Sequence, residues 1–92
     1  MIRSFADRET EHLFFAGKSR KFNAILAPAR RKLQILDNTP HLDDLRVPAG
    51  NQFEALKRDR KGQHSIRIND QYRLCFRWYE GDAYEVEIVD YH

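Results

Sequence analysis

Tyr72-Arg73-Leu74-Cys75-Phe76-Arg77-Trp78-Tyr79-Glu80-Gly81-Asp82-Ala83-Tyr84-Glu85-Val86-Glu87-Ile88-Val89 is the stretch that decides the fold. Tyr72, Leu74, Phe76 and Trp78 alternate with Arg73, Cys75, Arg77 and Tyr79. Tyr84, Val86 and Ile88 alternate with Glu85, Glu87 and Val89. A period of two belongs to strands, and Glu80-Gly81-Asp82 is a turn signal between them, so the stretch predicts an antiparallel hairpin. Pairing Trp78 with Tyr84, Phe76 with Val86 and Leu74 with Ile88 gathers one apolar face. The same register sets Arg77 against Glu85 and Tyr72 against Asp90, and brings Tyr91 beside Arg73.

Working back from the hairpin, Ser65 to Asn69 reads as another strand, with Ile66 and Ile68 on one side and Ser65 and Arg67 on the other. Asn69-Asp70 is its tight turn into the hairpin. Phe53 to Lys57 is a candidate fourth strand, followed by the basic turn Arg58-Asp59-Arg60-Lys61-Gly62; Pro48-Ala49-Gly50-Asn51 is a loop. Further upstream the period changes. Phe22, Ile25, Leu26, Ala29, Leu33 and Leu36 recur at helical spacing, with Arg30, Arg31, Lys32 and Gln34 on the other side. Pro28 cannot donate to a helical ladder, so this helix starts close to it or bends there. Asn38-Thr39-Pro40 stops the helix, and Thr39 and Pro40 read as the cap and first position of a short turn through Leu45. An earlier helix runs from about Arg8 to Ala16, capped by Asp7 and closed by Gly17, with Leu13, Phe14 and marginally His12 on its apolar side. Ile2 to Phe5 reads as an edge strand. The expected class is α+β: an N-terminal strand and two helices packed on an antiparallel sheet, in one domain over 1–92.

Composition narrows the function. Hydrophobic residues are 41 % and charged residues 33 % of 92, which is globular rather than disordered. Cys75 is alone, which excludes a disulfide scaffold. No apolar run approaches the roughly 18 residues of a membrane span, and the first residues show no apolar signal region, so a reducing cytoplasm and no membrane partner are expected. Residues 17–36 carry six Lys and Arg and no acid; residues 57–77 carry seven against two acids; residues 78–92 carry five acids and no Lys or Arg. Two basic blocks suit a polyanion partner, and equally suit ordinary solvated faces.

There is no Gly-rich phosphate loop, paired cysteine or nucleophile elbow, and His12, His41, His64 and His92 have no metal spacing, so neither metal nor cofactor is expected. Lys57, Arg60 and Lys61 surround one turn, Arg67 and Arg73 project from successive strands, Glu54 precedes the turn, and Asp90-Tyr91-His92 ends the sequence. Metal-free RNA cleavage needs a base for the ribose 2′-hydroxyl, an acid for the leaving 5′-oxygen and cations for the phosphorane. Glu54, Asp90 and His92 are the acid and base candidates, Lys57 and Arg73 the cations, and Tyr91 a ring on which a base can stack. Each also has a plain structural reading: Asp90 ends a strand, Arg73 and Arg77 pair across strands with Glu85 and Glu87, Glu54 is solvated, and Cys75 and His64 pack. The residues alone lead to a small basic α+β domain with RNA binding as one reading.

A resemblance adds to this. The start Met1-Ile2-Arg3-Ser4-Phe5, the stretch Glu54-Ala55-Leu56-Lys57, the run from Gly62 through Ser65-Ile66-Arg67-Ile68-Asn69-Asp70-Gln71-Tyr72-Arg73 to Phe76, and the ending Val86 to Asp90-Tyr91-His92 closely resemble the HigB-type toxins of the RelE/ParE superfamily over essentially the whole chain. The resemblance implies a type II toxin that cleaves mRNA in the ribosomal decoding site, by 2′-hydroxyl attack leaving a cyclic phosphate and a 5′-hydroxyl. It implies a HigA-type helix-turn-helix antitoxin and contact with operator DNA only through that antitoxin. By the same resemblance Lys57 and Arg73 hold the scissile phosphate, Asp90 and His92 transfer protons, and Tyr91 lies between them. Lys18, Lys21, Arg30, Arg31, Lys32, Arg60, Lys61 and Arg67 are the expected contacts to ribosomal RNA. Glu54 departs from the pattern, standing where a characterised HigB has His; a carboxylate can act as base but adds no positive charge. The chain-end carboxylate beside His92 is expected to favour imidazolium, which suits an acid. The competing readings are a non-enzymatic subunit that acts through antitoxin binding and a ParE-like gyrase inhibitor.

Overall fold

The hairpin forms as β3 (Tyr72–Tyr79) and β4 (Asp82–Asp90) in a computed structural model that describes residues 1–91. Its turn is Glu80-Gly81, with positive φ at both Glu80 (48°) and Gly81 (85°), as the primed turns that match strand twist require. Leu74 pairs with Ile88 and Tyr72 with Asp90, as expected. Beyond Phe76 the expected register fails by one residue. Arg77 faces Tyr84 and Trp78 faces Ala83, because a bulge lies between Cys75 and Arg77 on β3 and the opposite stretch of β4. The extra residue is absorbed at Glu85, which takes φ of 52°. One residue of slip moves side chains to the other face, so Ala83 is buried in the core in place of Tyr84. Arg77 still reaches Glu85, at 3.1 Å.

The sheet continues through β2 (His64–Arg67) to β1 (Glu54–Ala55), all antiparallel in the order β1-β2-β3-β4. The fourth strand is shorter than the Phe53 to Lys57 expected: only Glu54 and Ala55 pair, with Ser65 and His64. Phe53 instead stacks its ring on His64, 5.5 Å between centroids. The Arg58–Arg60 segment is a short 3-10 turn, and Gln63 closes it by donating its N–H to the Arg60 carbonyl at 2.9 Å.

Helix α1 (Arg8–Ala16) has the caps that the sequence suggests. The Asp7 carboxylate accepts from Thr10 N–H at 2.6 Å, and Gly17 adopts φ of 70° while its N–H donates to Leu13. Its buried side is Thr10 and Leu13; His12 is exposed, a correction to the expected apolar side. Helix α2 (Leu26–Asn38) places Pro28 in its first turn, where a missing N–H costs nothing. Thr39 does not cap the next turn. Its hydroxyl donates back to the Ile35 carbonyl at 2.6 Å, and the 3-10 turn Leu42–Arg46 that follows has no capping side chain.

Both helices cover one face of the sheet. Leu13, Leu33 and Leu36 meet Ile66, Leu74, Phe76, Val86 and Ile88 in a single apolar cluster. Thr10 is buried there too, and its hydroxyl accepts the Ile88 N–H at 3.1 Å, satisfying an amide that would otherwise be orphaned. Ile2 to Phe5 forms two isolated parallel bridges to Ala83 and Val86 rather than a full strand. The Ile2 N–H donates to the Asp37 carboxylate on α2 at 2.9 Å, which ties this segment across to the helical layer.

Candidate active site on the outer face of the sheet

The helices leave the other face of the sheet open. By alternation that face carries Glu54 on β1, Ser65 and Arg67 on β2, Arg73, Cys75 and Arg77 on β3, and Glu87 and Val89 on β4. At its centre Ser65 pairs with Cys75, and both are fully buried although no helix covers them. Polar side chains lying flat across the face do the covering.

Arg73 is the chief of these, with a side chain only 11 % exposed. Its Nε donates to Ser65 Oγ at 2.8 Å, and its Nη2 donates to the Gln52 carbonyl and, at 3.5 Å, to the Ser65 carbonyl. Gln52 presents that carbonyl from a left-handed conformation, φ 44°, at the end of the 3-10 turn Ala49–Asn51. Glu54 Oε1 lies 3.5 Å from Arg73 Nε and is half exposed. The guanidinium is thus fixed before any ligand arrives, and its one carboxylate neighbour among the described ion pairs sits at the solvent edge.

Tyr91 closes the other side. Its N–H donates to the Gln71 carbonyl at 2.7 Å, and its hydroxyl lies 3.8 Å from Cys75 Sγ. Burial raises the Tyr91 pKa, and burial likewise raises that of the Cys75 thiol, so both are neutral at physiological pH. Arg60 crosses from the basic turn to Glu87 at 3.2 Å and to Gln63 at 3.1 Å. Burial is the largest single influence and works against the Arg60 charge, but the Glu87 hydrogen bond together with the attraction of Cys75, Glu87 and Tyr91 outweighs it, and the Arg60 pKa is raised.

The structure therefore brings Glu54, Arg73 and Tyr91 together, with Arg60 beside them. Lys57 is exposed just past β1, at the start of the basic turn. Asp90 is held at the end of β4, where Gln71 Nε2 donates to its carboxylate at 3.0 Å; strand alternation sends Tyr91, rather than Asp90, toward the Arg73 side. His92 lies outside the described residues. Sequence reasoning missed Ser65, Gln52 and Gln71. Ser65 was legible as an outward strand position, but a role played by the Gln52 and Gln71 backbone carbonyls leaves no mark in residue type.

The other basic residues are dispersed. Lys32 is half-buried on α2 and donates to Asn51 Oδ1 at 2.5 Å; burial, then Arg31 and Arg67, lower its pKa. Arg67 pairs with Asp70. Arg30 and Arg31 are exposed on the helical layer, and Lys61 is exposed in the basic turn. Lys21 lies over the Phe22 ring at 5.3 Å, and Lys18 lines a cleft of about 540 Å³ with His12, Ser19, Arg20, Asn23 and Leu26. His64 is packed, as expected: burial lowers its pKa, and its Nδ1 is buried with no hydrogen-bond partner among the described residues. Among the described residues no group of three potential metal ligands occurs and no helix is long and apolar enough to cross a membrane.

A helical layer on one face and an open, arginine-centred face on the other define a class of small α+β domain. The fold is shared with YafQ from E. coli: a His-to-Gln variant of YafQ superposes with a TM-score of 0.62 at 11 % identity, covering 99 % of this chain and 94 % of that one. A second YafQ structure gives a TM-score of 0.56 at 14 % identity with the same coverage. The chain belongs to the HigB-like toxin family, the RelE-like toxins of type II toxin-antitoxin systems, whose family model matches residues 3–92. It is 41 % identical over 85 residues to Toxin HigB-1 of Vibrio cholerae, covering 90 % of each chain. It is 30 % identical over 93 residues to Endoribonuclease HigB of Proteus vulgaris, covering 100 % of each. A toxin of a type II system has an antitoxin as its partner.

Proposed function

We propose that this toxin is a cytoplasmic, ribosome-dependent mRNA endoribonuclease. The observation that carries the reading is the preset Arg73 guanidinium on the open face, flanked by Glu54 and Tyr91. A cation fixed in advance stabilises developing phosphorane charge without reorganising at the moment of reaction. The name of the Proteus vulgaris relative supports the chemistry.

In this reading Lys57 and Arg73 hold the scissile phosphate and Tyr91 stacks on a base. The 2′-hydroxyl gives its proton to a base and attacks phosphorus. The bond to the 5′-oxygen breaks, and an acid returns a proton to that oxygen. Glu54, Asp90 and His92 supply the acid and base, and no metal enters the reaction. The products are a 2′,3′-cyclic phosphate and a 5′-hydroxyl. Lys18, Lys21, Arg30, Arg31 and Lys61, which are exposed, meet ribosomal RNA. The partner is a HigA-type helix-turn-helix antitoxin, through which the complex reaches operator DNA.

The test is 5′-end mapping of a model mRNA with and without translating ribosomes, using antitoxin-free protein and His92→Ala and Arg73→Ala variants. New 5′-hydroxyl ends that need ribosomes and vanish with Arg73→Ala are the expected result. Absence of cuts from folded wild-type protein refutes the reading, and gyrase inhibition is then the next assay.

A further inference from the structure

The position of Glu54 raises a question that its candidacy as a base does not answer. Arg73 is almost wholly buried, and a buried cation is costly without a counter-charge. Its other partners are neutral oxygens: Ser65 Oγ and the carbonyls of Ser65 and Gln52. They aim the guanidinium but bring no full negative charge to it. Among the described ion pairs its carboxylate partner is Glu54, 3.5 Å from Nε, on a two-residue edge strand and 55 % exposed. The cradle is therefore buried and hydrogen-bonded while the counter-ion is exposed. Glu54 is thus the exposed member of the pair, on the solvent side of a nearly buried Arg73.

We infer that Glu54 is a phosphate-mimicking latch: in the resting toxin its carboxylate satisfies Arg73, and the scissile phosphate binds by displacing it. This deepens the proposed function and rests on Arg73 being the phosphate-binding cation. The latch weakens binding of every phosphodiester by the strength of the ion pair it breaks. It also keeps Arg73 neutralised while no substrate is present, so that stray polyanions meet a paired arginine. Glu54 is in this sense a residue that sets substrate affinity, separately from any proton it carries.

The test is equilibrium binding and does not depend on turnover. The probe is a short fluorescent RNA with a 2′-O-methyl group at each ribose, which cannot be cleaved. Glu54→Gln keeps the size of the side chain and removes its charge. It is expected to bind the probe about threefold to tenfold more tightly than wild type, the range between an exposed and a half-buried ion pair. Because lost negative charge tightens RNA binding anywhere on a basic face, Glu85→Gln, which breaks the Arg77 pair on the same sheet, is the control. It is expected to change affinity less than twofold. In an Arg73→Ala background the Glu54→Gln gain is expected to disappear, since the latch then holds nothing.

Equal or weaker binding by Glu54→Gln overturns the inference, as does an equal gain from Glu85→Gln or a gain that survives Arg73→Ala. Thermal unfolding of each variant shows whether it is folded. If Arg73→Ala is unfolded, Arg73→Lys, which loses the bidentate cradle but keeps a charge, takes its place and is expected to shrink the gain. If wild type binds the probe as inferred but cleaves no mRNA, the latch stands and the nuclease reading falls.

Discussion

The two faces of this sheet are built from the same strands and held by different physics. On the inner face Ile66, Leu74, Phe76 and Val86 are fully buried beneath two helices, and dispersion and water exclusion do the work. On the outer face Ser65 and Cys75 are just as buried, yet their cover is arginine, tyrosine and glutamate. The inner face is deep, apolar and non-directional, so it tolerates no volume loss but asks little of geometry. The outer face is one side chain thick and held by directed hydrogen bonds and ion pairs. Removing one of its groups is expected to cost little stability and much activity, and the reverse is expected within.

That contrast can be broken or sharpened in order of size. Phe76→Ala, which empties the largest fully buried inner side chain, is expected to cost about 3–5 kcal/mol of unfolding free energy in a urea titration. Arg73→Ala is expected to lower single-turnover mRNA cleavage by about 10² to 10³, the loss seen when one preset donor to a developing charge is removed. Its stability loss is expected to stay near 1 kcal/mol, because the Ser65 hydroxyl then lacks a partner. A stability loss as large as that of Phe76→Ala would erase the distinction between the faces. Thr10→Val is a polar test on the inner side: it leaves the Ile88 N–H unpaired and is expected to cost about 1–3 kcal/mol by the same titration.

His64 gives a pH test of the inner face. Burial lowers its pKa in the folded protein, so the unfolded chain binds more protons as pH falls through about 6.5. Stability is therefore full above that value and declines as pH falls toward the lowered folded pKa, where the unfavourable protonation is complete. Urea midpoints measured from neutral to mildly acid pH are expected to fall in wild type and to fall less in His64→Gln. The smallest effect belongs to the hairpin turn. Glu80→Asn puts a residue that tolerates positive φ where φ is 48° and is expected to add about 0.4–1 kcal/mol.

Much of this fold was legible because its signals are periodic and local. Asp7 and Gly17 bound α1 to the residue, since a carboxylate cap and a left-handed glycine are visible in residue type. The hairpin register was right at Leu74 and Ile88 and wrong at Trp78, because the bulge turns on Glu85 adopting φ of 52°. A glycine there would have announced the irregularity; a glutamate does not. Thr10, three residues from Leu13 on the same helical face, is buried where apolarity alone points to His12. Apolarity was read where burial with a hydrogen bond was the deciding property. For the site, Glu54 and Arg73 and the neighbourhood of Tyr91 followed from register and resemblance. The cradle did not, because Gln52 enters it through its backbone after a left-handed turn that no residue type marks.

The pairing of Ile2 to Phe5 with β4 joins segments from opposite ends of the fold. Arg3 N–H donates to Ala83, and Ala83 N–H to Met1; Ala6 N–H donates to Val86, and Val86 N–H to Ser4, at 2.8–3.1 Å. The segment before α1 thus finds its strand partner beyond the hairpin turn. Contacts of such long sequence separation form late and slowly, after the loop between them has closed. Until that closure this segment lacks these bonds and the edge of β4 stays open. Ile2 to Phe5 is thereby a closing piece that the rest of the sheet must precede, and its removal leaves the β4 edge open to pairing with another strand.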